Sequence, residues 1–223
     1  MKIVAVIPAY NEATTVGSVV ESVSEQVDEV IVVDDGSIDQ TGPNAQKAGA
    51  IVIRHFFNRG QGAALQTGFE YALRHEADIV VTFDADGQFE AAEIKKVVEP
   101  LLLDKVDVVL GSRFLTPLQS VPLKRKILLK AATAITRLYT GLAVTDAHNG
   151  FRALSRQALS VINLQQRGMA HASEILEEIN KHRLRFMEVP ITVNYTDYSL
   201  QKGQRLSSSF RIVKDLFVSR LFK

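Results

Sequence analysis

Val80-Val81-Thr82-Phe83-Asp84-Ala85-Asp86-Gly87-Gln88 decides how this chain reads. An apolar run ends in two carboxylates spaced as D-x-D, then a glycine and an amide. A buried strand with this ending delivers two anionic oxygen ligands to one edge of a sheet. In open α/β sheets that edge is where ligands bind. Two carboxylates this close repel unless a cation sits between them. A hard divalent cation carrying substrate phosphates suits them, because Mg²⁺ and Mn²⁺ favour oxygen ligands. The competing reading is a strand followed by an ordinary polar turn, where Asp and Gly are common.

Two further strand ends have the same shape. Val30-Ile31-Val32-Val33 runs into Asp34-Asp35-Gly36-Ser37, and Ile3-Val4-Ala5-Val6-Ile7 runs into Pro8-Ala9-Tyr10-Asn11-Glu12. Three polar strand ends within the first part of the chain point to a site rather than to chance.

The same strands set the fold class. Strands are expected at 3–7, 29–33, 50–54, 78–83 and 107–111. Helices are expected near 14–26, 40–48, 61–75 and 91–103. The strands are short, apolar and β-branched, as when both faces of a sheet are buried. Their alternation with helices predicts an α/β fold, with a mostly parallel central sheet and helices on both faces. The later part is less regular. A Pro-containing loop at 115–122 precedes a helix at about 123–139 that carries Lys124, Arg125, Lys126, Lys130 and Arg137. A helix is expected at 171–183 and a strand at 184–193, where Pro190 calls for an edge or a bulge. Residues 194–208 read as a polar loop, and 209–223 as an amphipathic basic segment. The chain is expected to be one domain, with a donor half at 1–113, an acceptor half at 114–208 and the helical segment at 209–223.

The 223 residues suffice for one α/β domain with a full core. Net charge is +1, which gives no electrostatic case for nucleic-acid binding. The absence of cysteine excludes disulfides, thiolate-bound metals and thiol catalysis. Strand residues begin at Ile3, so no signal peptide is expected. No apolar run approaches the roughly 20 residues that cross a bilayer. A cytoplasmic location is expected, with contact to the membrane surface left open.

No G-x-G-x-x-G follows the first strand, and no G-x-x-x-x-G-K-[ST] occurs anywhere. Dinucleotide-fold and P-loop chemistry are therefore not expected. The nearest Gly-rich element, Asn58-Arg59-Gly60-Gln61-Gly62, opens a helix whose N-terminus favours an anion. It also reads as a simple tight turn. His55, His148 and His171 show no metal-ligand spacing, although His148 stands beside Asp146 and Asn149.

Taken in order, Pro8–Glu12, Asp34–Ser37, Asn58–Gly62, Asp84–Gln88, Gly111-Ser112-Arg113 and Asp146 with Asn149-Gly150-Phe151-Arg152 resemble the family 2 glycosyltransferases with a GT-A fold. The resemblance is greatest to the dolichol-phosphate mannose synthase-like enzymes. It implies that Pro8, Tyr10, Glu12, Val33, Asp35, Asp84, Ala85 and Asp86 bind a nucleotide sugar, GDP-mannose or a UDP-hexose. Asp84, Asp86 and Gln88 are implied to hold Mg²⁺ or Mn²⁺ on the diphosphate. Arg113 and Arg125, with Lys202 and Arg205, are implied to face an acceptor phosphate. The implied catalytic set is Asp84, Asp86, Arg113 and Asp146, and the implied reaction inverts the anomeric carbon. Two departures stand out. Gln61 occupies a position where many relatives carry lysine, and Asp197 stands where many carry an arginine soon after Tyr195.

The chemistry follows from charge. A divalent cation stabilises the departing nucleoside diphosphate. A polyprenyl phosphate is already ionised and needs no general base. A glycan hydroxyl, the alternative acceptor, needs one, and Asp146 is the candidate. The expected partners are a nucleotide sugar, polyprenyl phosphate and a membrane surface, reached directly or through a separate membrane-anchor protein. A sugar nucleotidyltransferase is disfavoured because Pro8–Glu12 is neither Gly- nor Lys-rich. A binding module without catalysis has no need of Asp84 and Asp86 together with Arg113.

Overall fold

The computed structural model describes residues 1–115, 123–166, 168 and 170–194, and of residues 123–125 the backbone course alone. Every strand and helix expected before residue 112 is present, with ends shifted by a residue or two. β1 (Ile3–Ala9), β2 (Glu29–Asp34), β3 (Ile51–Arg54) and β4 (Ile79–Thr82) lie parallel in the order β3-β2-β1-β4. β-branched residues fill them because both faces are covered.

The other end of the sheet departs from simple alternation. β5 (Val108–Ser112) does not pair with β4. The short β6 (Arg152–Ser155) lies between them, antiparallel to both. β7 (Phe186–Pro190) then pairs parallel with β5 at the sheet edge. Pro190 ends this edge strand, where its missing N–H breaks no ladder. The strand expected to reach 193 stops there, and Val193 makes an isolated bridge to Phe89.

Two apolar layers clamp the sheet. Alternate strand residues such as Ala5, Ile7, Val32 and Val81 pack under α1 (Val16–Ser24), α2 (Thr41–Lys47) and α4 (Ile94–Leu102). A 3₁₀ turn, Ala91–Glu93, begins the helix expected at 91–103. On the opposite face Val4, Val6, Ile31, Val33, Val80 and Leu154 pack under α3 (Gln61–Arg74), α6 (Arg156–Val161) and α7 (His171–Lys181). Each such fully buried side chain contributes about 1.5–3 kcal/mol. α5 (Leu123–Thr140) packs on α7 and ends at Gly141, whose φ of 74° suits a helix stop.

Among the described residues no helix is long and apolar enough to cross a membrane. The loop expected at 194–208 (apart from Asn194) and the amphipathic segment expected at 209–223 lie outside the described residues.

Candidate active site

The C-terminal ends of β1, β2 and β4 converge as the sequence requires. Hydrogen bonds between loops lock the first two together. The Asn11 N–H donates to Ser37 Oγ (2.9 Å), the Ile38 N–H to Asn11 Oδ1 (3.0 Å) and the Glu12 N–H to Thr41 Oγ1 (2.8 Å). Asn11 takes a φ of 54°, a left-handed conformation that asparagine tolerates. Tyr10 is 43% exposed at this edge.

Asp34 and Asp35 divide their work. Asp34 Oδ1 accepts the Ser37 N–H (2.9 Å), closing the turn after β2. Asp35 is buried and reaches the other way. Its Oδ1 lies 2.7 Å from His55 Nδ1 and accepts the Arg59 N–H (2.9 Å), while Oδ2 accepts the Gly60 N–H (2.7 Å). It thus fixes the glycine turn that opens α3, where Gly60 sits at φ 91°. Both lone pairs of Oδ1 are taken, so only Oδ2 retains accepting capacity for a nucleobase N–H.

At the end of β4 the two carboxylates are each held by an amide. Gln61 Nε2 donates to Asp84 Oδ1 (3.1 Å). Gln88 donates to Asp86 through its backbone N–H (3.0 Å) and again through its side chain. Gln61 therefore orients a carboxylate where a lysine would have neutralised it. Gly150 admits this arrangement, because a Cβ there would stand 2.7 Å from Asp84 Oδ2. Below, Phe83, Phe89 and Phe151 form a cluster with ring centroids 5.2–5.6 Å apart, pinning the D-x-D turn from both sides. Burial raises the Asp84 carboxyl to about 7. The Asp86 charge adds to this and the Arg152 and Arg113 guanidinium groups oppose it.

The donor set fits a divalent cation of the kind expected. Among the described residues no three His, Cys, Asp or Glu side chains converge on one point. Two carboxylates one residue apart at the end of β4 suit an ion that takes its remaining ligands from phosphates and water.

Across from β4 lies a buried ion pair. Asp146 Oδ2 accepts from Arg113 Nε at 2.6 Å and from the Arg113 backbone N–H at 3.2 Å. The side chains are 7% and 0% exposed. Glu188 on β7 accepts the backbone N–H groups of Thr145 (2.8 Å) and Asp146 (3.1 Å), which holds the segment in place. Arg152, at the start of β6, is 2% exposed. Asp146 Oδ1, His148 Nε2 and Arg152 Nη1 are buried without a hydrogen-bond partner. Burial lowers Arg152 to about 10, His171 to about 4, and His148 as well.

The sequence model for glycosyl transferase family 2 matches residues 4–162. The chain belongs to this family. The glycosyltransferase is 36% identical to the UDP-N-acetylglucosamine–dolichyl-phosphate N-acetylglucosaminyltransferase of Methanococcus voltae, over 98% of this chain and 96% of that protein. It is 30% identical to the polyprenol monophosphomannose synthase of Mycolicibacterium smegmatis, over 92% of this chain and 82% of that protein. Among solved structures, the glucosyl-3-phosphoglycerate synthase of Mycobacterium tuberculosis bound to Mn²⁺, UDP and glucosyl-3-phosphoglycerate superposes with a TM-score of 0.75 at 26% identity. The match covers 98% of this chain and 79% of that one. The fold is GT-A.

Several expectations need adjustment in this glycosyltransferase. Val33 and Ala85, expected to line the nucleotide pocket, are buried in the two apolar layers, at 0% and 3% exposure. Asp146, the candidate base for a glycan-hydroxyl acceptor, forms a buried ion pair with Arg113. Arg125 falls in the first turn of α5, and its side chain lies outside the described residues, as do Lys202 and Arg205. Sequence reasoning assigned no part to Gln61 toward Asp84, to the phenylalanine cluster or to Glu188. The only signal was their spacing from motif residues.

Proposed function

We propose that this glycosyltransferase moves a hexose or N-acetylhexosamine from a UDP- or GDP-sugar to polyprenyl phosphate, with Mg²⁺ or Mn²⁺ and with inversion at the anomeric carbon. The observation that supports it most is the opposition of two charge types across β4 and β6. Paired carboxylates held by amides stand on one side, and buried guanidinium groups on the other.

Asp84 and Asp86, with the Gln88 amide, would hold the ion. When bound, the ion supplies a Lewis acid for the departing diphosphate. Pro8, Tyr10, Glu12 and the Oδ2 of Asp35 bound the nucleotide side. Arg113 meets the acceptor from its anchorage on Asp146. An acceptor phosphate oxygen attacks the anomeric carbon as the bond to the nucleoside diphosphate breaks. Asp146 has one oxygen committed to Arg113 (2.6 Å) and the other buried, which disfavours a base role and hence a glycan-hydroxyl acceptor.

Contact with a bilayer accompanies this reading. α5 exposes Ile127 (62%) and Leu138 (88%) beside Lys126 and Lys130. The sequence of 209–223 has the same basic and apolar character. A basic amphipathic surface binds anionic interfaces. Flotation with anionic vesicles tests direct contact. Failure to float at low salt transfers the anchoring role to a separate membrane protein.

The deciding experiment supplies radiolabelled GDP-mannose, UDP-glucose and UDP-N-acetylglucosamine in turn, with polyprenyl phosphate and Mn²⁺. A lipid-extractable, acid-labile product from one donor supports the reading. Transfer to glycan without transfer to lipid refutes it.

A further inference from the structure

Among the described residues Arg152 has no ion-pair partner, although the charges of Asp84 and Asp146 act on it. It enters β6 opposite Thr82 of β4 and Leu110 of β5, so its side chain rises from the sheet floor on the α3 and α7 face. It is 2% exposed, and Nη1 has no hydrogen-bond partner. Among the described residues its guanidinium makes no ion pair and no side-chain hydrogen bond.

The anions that act on it through space, Asp84 and Asp146, are already engaged. Asp84 accepts from Gln61 (3.1 Å) and Asp146 from Arg113 (2.6 Å). A buried guanidinium without a partner is strongly unfavourable unless a ligand completes it. Its planar fork of donors matches phosphate. His148 Nε2, also buried and without a partner, adds a second group that can meet a phosphate oxygen.

We propose that Arg152 binds the acceptor phosphate directly. The assignment rests on the phosphate-acceptor reading above, and it selects among the cations of the site. Arg113 is neutralised by Asp146 before any ligand arrives. The donor diphosphate has the divalent ion held by Asp84 and Asp86. The charge left for a phosphomonoester dianion is that of Arg152, which interacts through space with both Asp84 and Asp146.

Two variants test this, Arg152→Met and Arg152→Lys, assayed with farnesyl phosphate and the donor found in the screen. A charge-assisted hydrogen bond to phosphate is worth one to two decades in affinity, so Arg152→Met raises the acceptor KM by about 30-fold. Arg152→Lys keeps the charge and loses the fork, and raises it by about fivefold. The donor KM, and the affinity for UDP or GDP with Mn²⁺ measured by titration calorimetry, stay within about threefold of the parent in both variants. The Tm of Arg152→Met changes little, because no ion pair or hydrogen bond among the described residues is lost. An unchanged acceptor KM in both variants overturns the assignment. So does a loss of nucleotide affinity as large as the acceptor effect, which would move Arg152 to the donor diphosphate. Failure of the parent enzyme itself to use any polyprenyl phosphate overturns the acceptor reading instead, and is told apart by occurring before any substitution.

Discussion

The two ends of the sheet handle their polar groups in opposite ways. At the donor end, parallel strands release Asn11, Ser37, Asp35 and the 58–62 turn into a web of mutual hydrogen bonds. The loops there are positioned before any ligand binds, as a site for a rigid nucleotide requires. At the acceptor end the antiparallel β6 brings Arg152 beside Arg113, Asp146 and His148, and Asp146 Oδ1, His148 Nε2 and Arg152 Nη1 lack hydrogen bonds; the buried Asp34 Oδ2, which also lacks one at the donor end, has Arg54 Nε 3.5 Å away. Saturation by the protein fixes geometry, whereas deliberate incompleteness leaves capacity for a ligand. On the proposed function, the enzyme is preorganised on the side that would take the donor with its cation, and polarised on the side that would take the acceptor's charge.

The sharpest way to break this contrast is to remove Asp146. Its carboxylate is the fixed partner of Arg113, and the pair is buried. Asp146→Ala removes the carboxylate paired with a buried guanidinium and should lower stability by about 3–5 kcal/mol. Urea unfolding measures this. The double variant Asp146→Ala with Arg113→Met should recover most of the loss, because an apolar pair tolerates the same site. A loss below about 1 kcal/mol in the single variant would mean that the acceptor end is looser than its hydrogen bonds indicate.

Asp86 supplies the contrasting case at the donor end. It lies beyond the end of β4, outside both apolar layers, so Asp86→Ala should leave Tm unchanged. Turnover should fall by at least about 100-fold, the size of one strong electrostatic contributor. Activity within about tenfold of the parent, or full transfer in excess chelator, would remove the metal-ligand role.

The difference between the two ends also explains what the sequence disclosed. The donor end was legible because local signals coincide there. β-branched runs mark buried parallel strands, and each runs into Asp or Glu, followed by Gly in two of the three. The acceptor end was not. β6 has only four residues and begins with a buried arginine, so it shows neither alternation nor an apolar run. Its insertion between β4 and β5 is a tertiary event that no local spacing encodes. Asp146 and Arg113 were picked out by resemblance, but their mutual clamp depends on loops meeting across 33 residues of chain. Val33 and Ala85 were read as pocket residues by resemblance. Strand alternation places their side chains in the core.

Gly150 joins the two ends and gives a smaller effect. A Cβ at this position would meet both carboxylate oxygens of Asp84, at 2.7 and 2.8 Å. Asp84 is short and tethered to Gln61, so it must turn away from the ion. Gly150→Ala should reduce kcat/KM for the donor by about tenfold, the scale of a displacement well under an ångström at a reacting group. Mn²⁺ affinity should fall in parallel, and Tm should change little. Unaltered Mn²⁺ binding with normal turnover would show that Asp84 has room the structure does not suggest.

The smallest expected effect concerns pH. His171 opens α7 beneath the acceptor end, is 3% exposed, and its Nδ1 lies 2.9 Å from the Gly168 carbonyl oxygen. Burial holds its pKa near 4, and the charges of Arg152 and His148 push in the same direction. Its place at a helix N-terminus disfavours a cation further. The sign follows directly. In the unfolded chain this histidine takes up a proton near pH 6.5, while in the folded enzyme it resists until about 4. Between those values the unfolded state binds more protons, so stability falls as pH falls. From about pH 7.5 to about pH 5.5 this group alone should remove about 1 kcal/mol. Urea unfolding of the parent and of His171→Gln at both values isolates the term, because the carboxylates contribute alike to each protein. A matching loss in the two proteins would mean that His171 is not held neutral, and that the acceptor end is wetter and less polarised than the donor end it has been contrasted with.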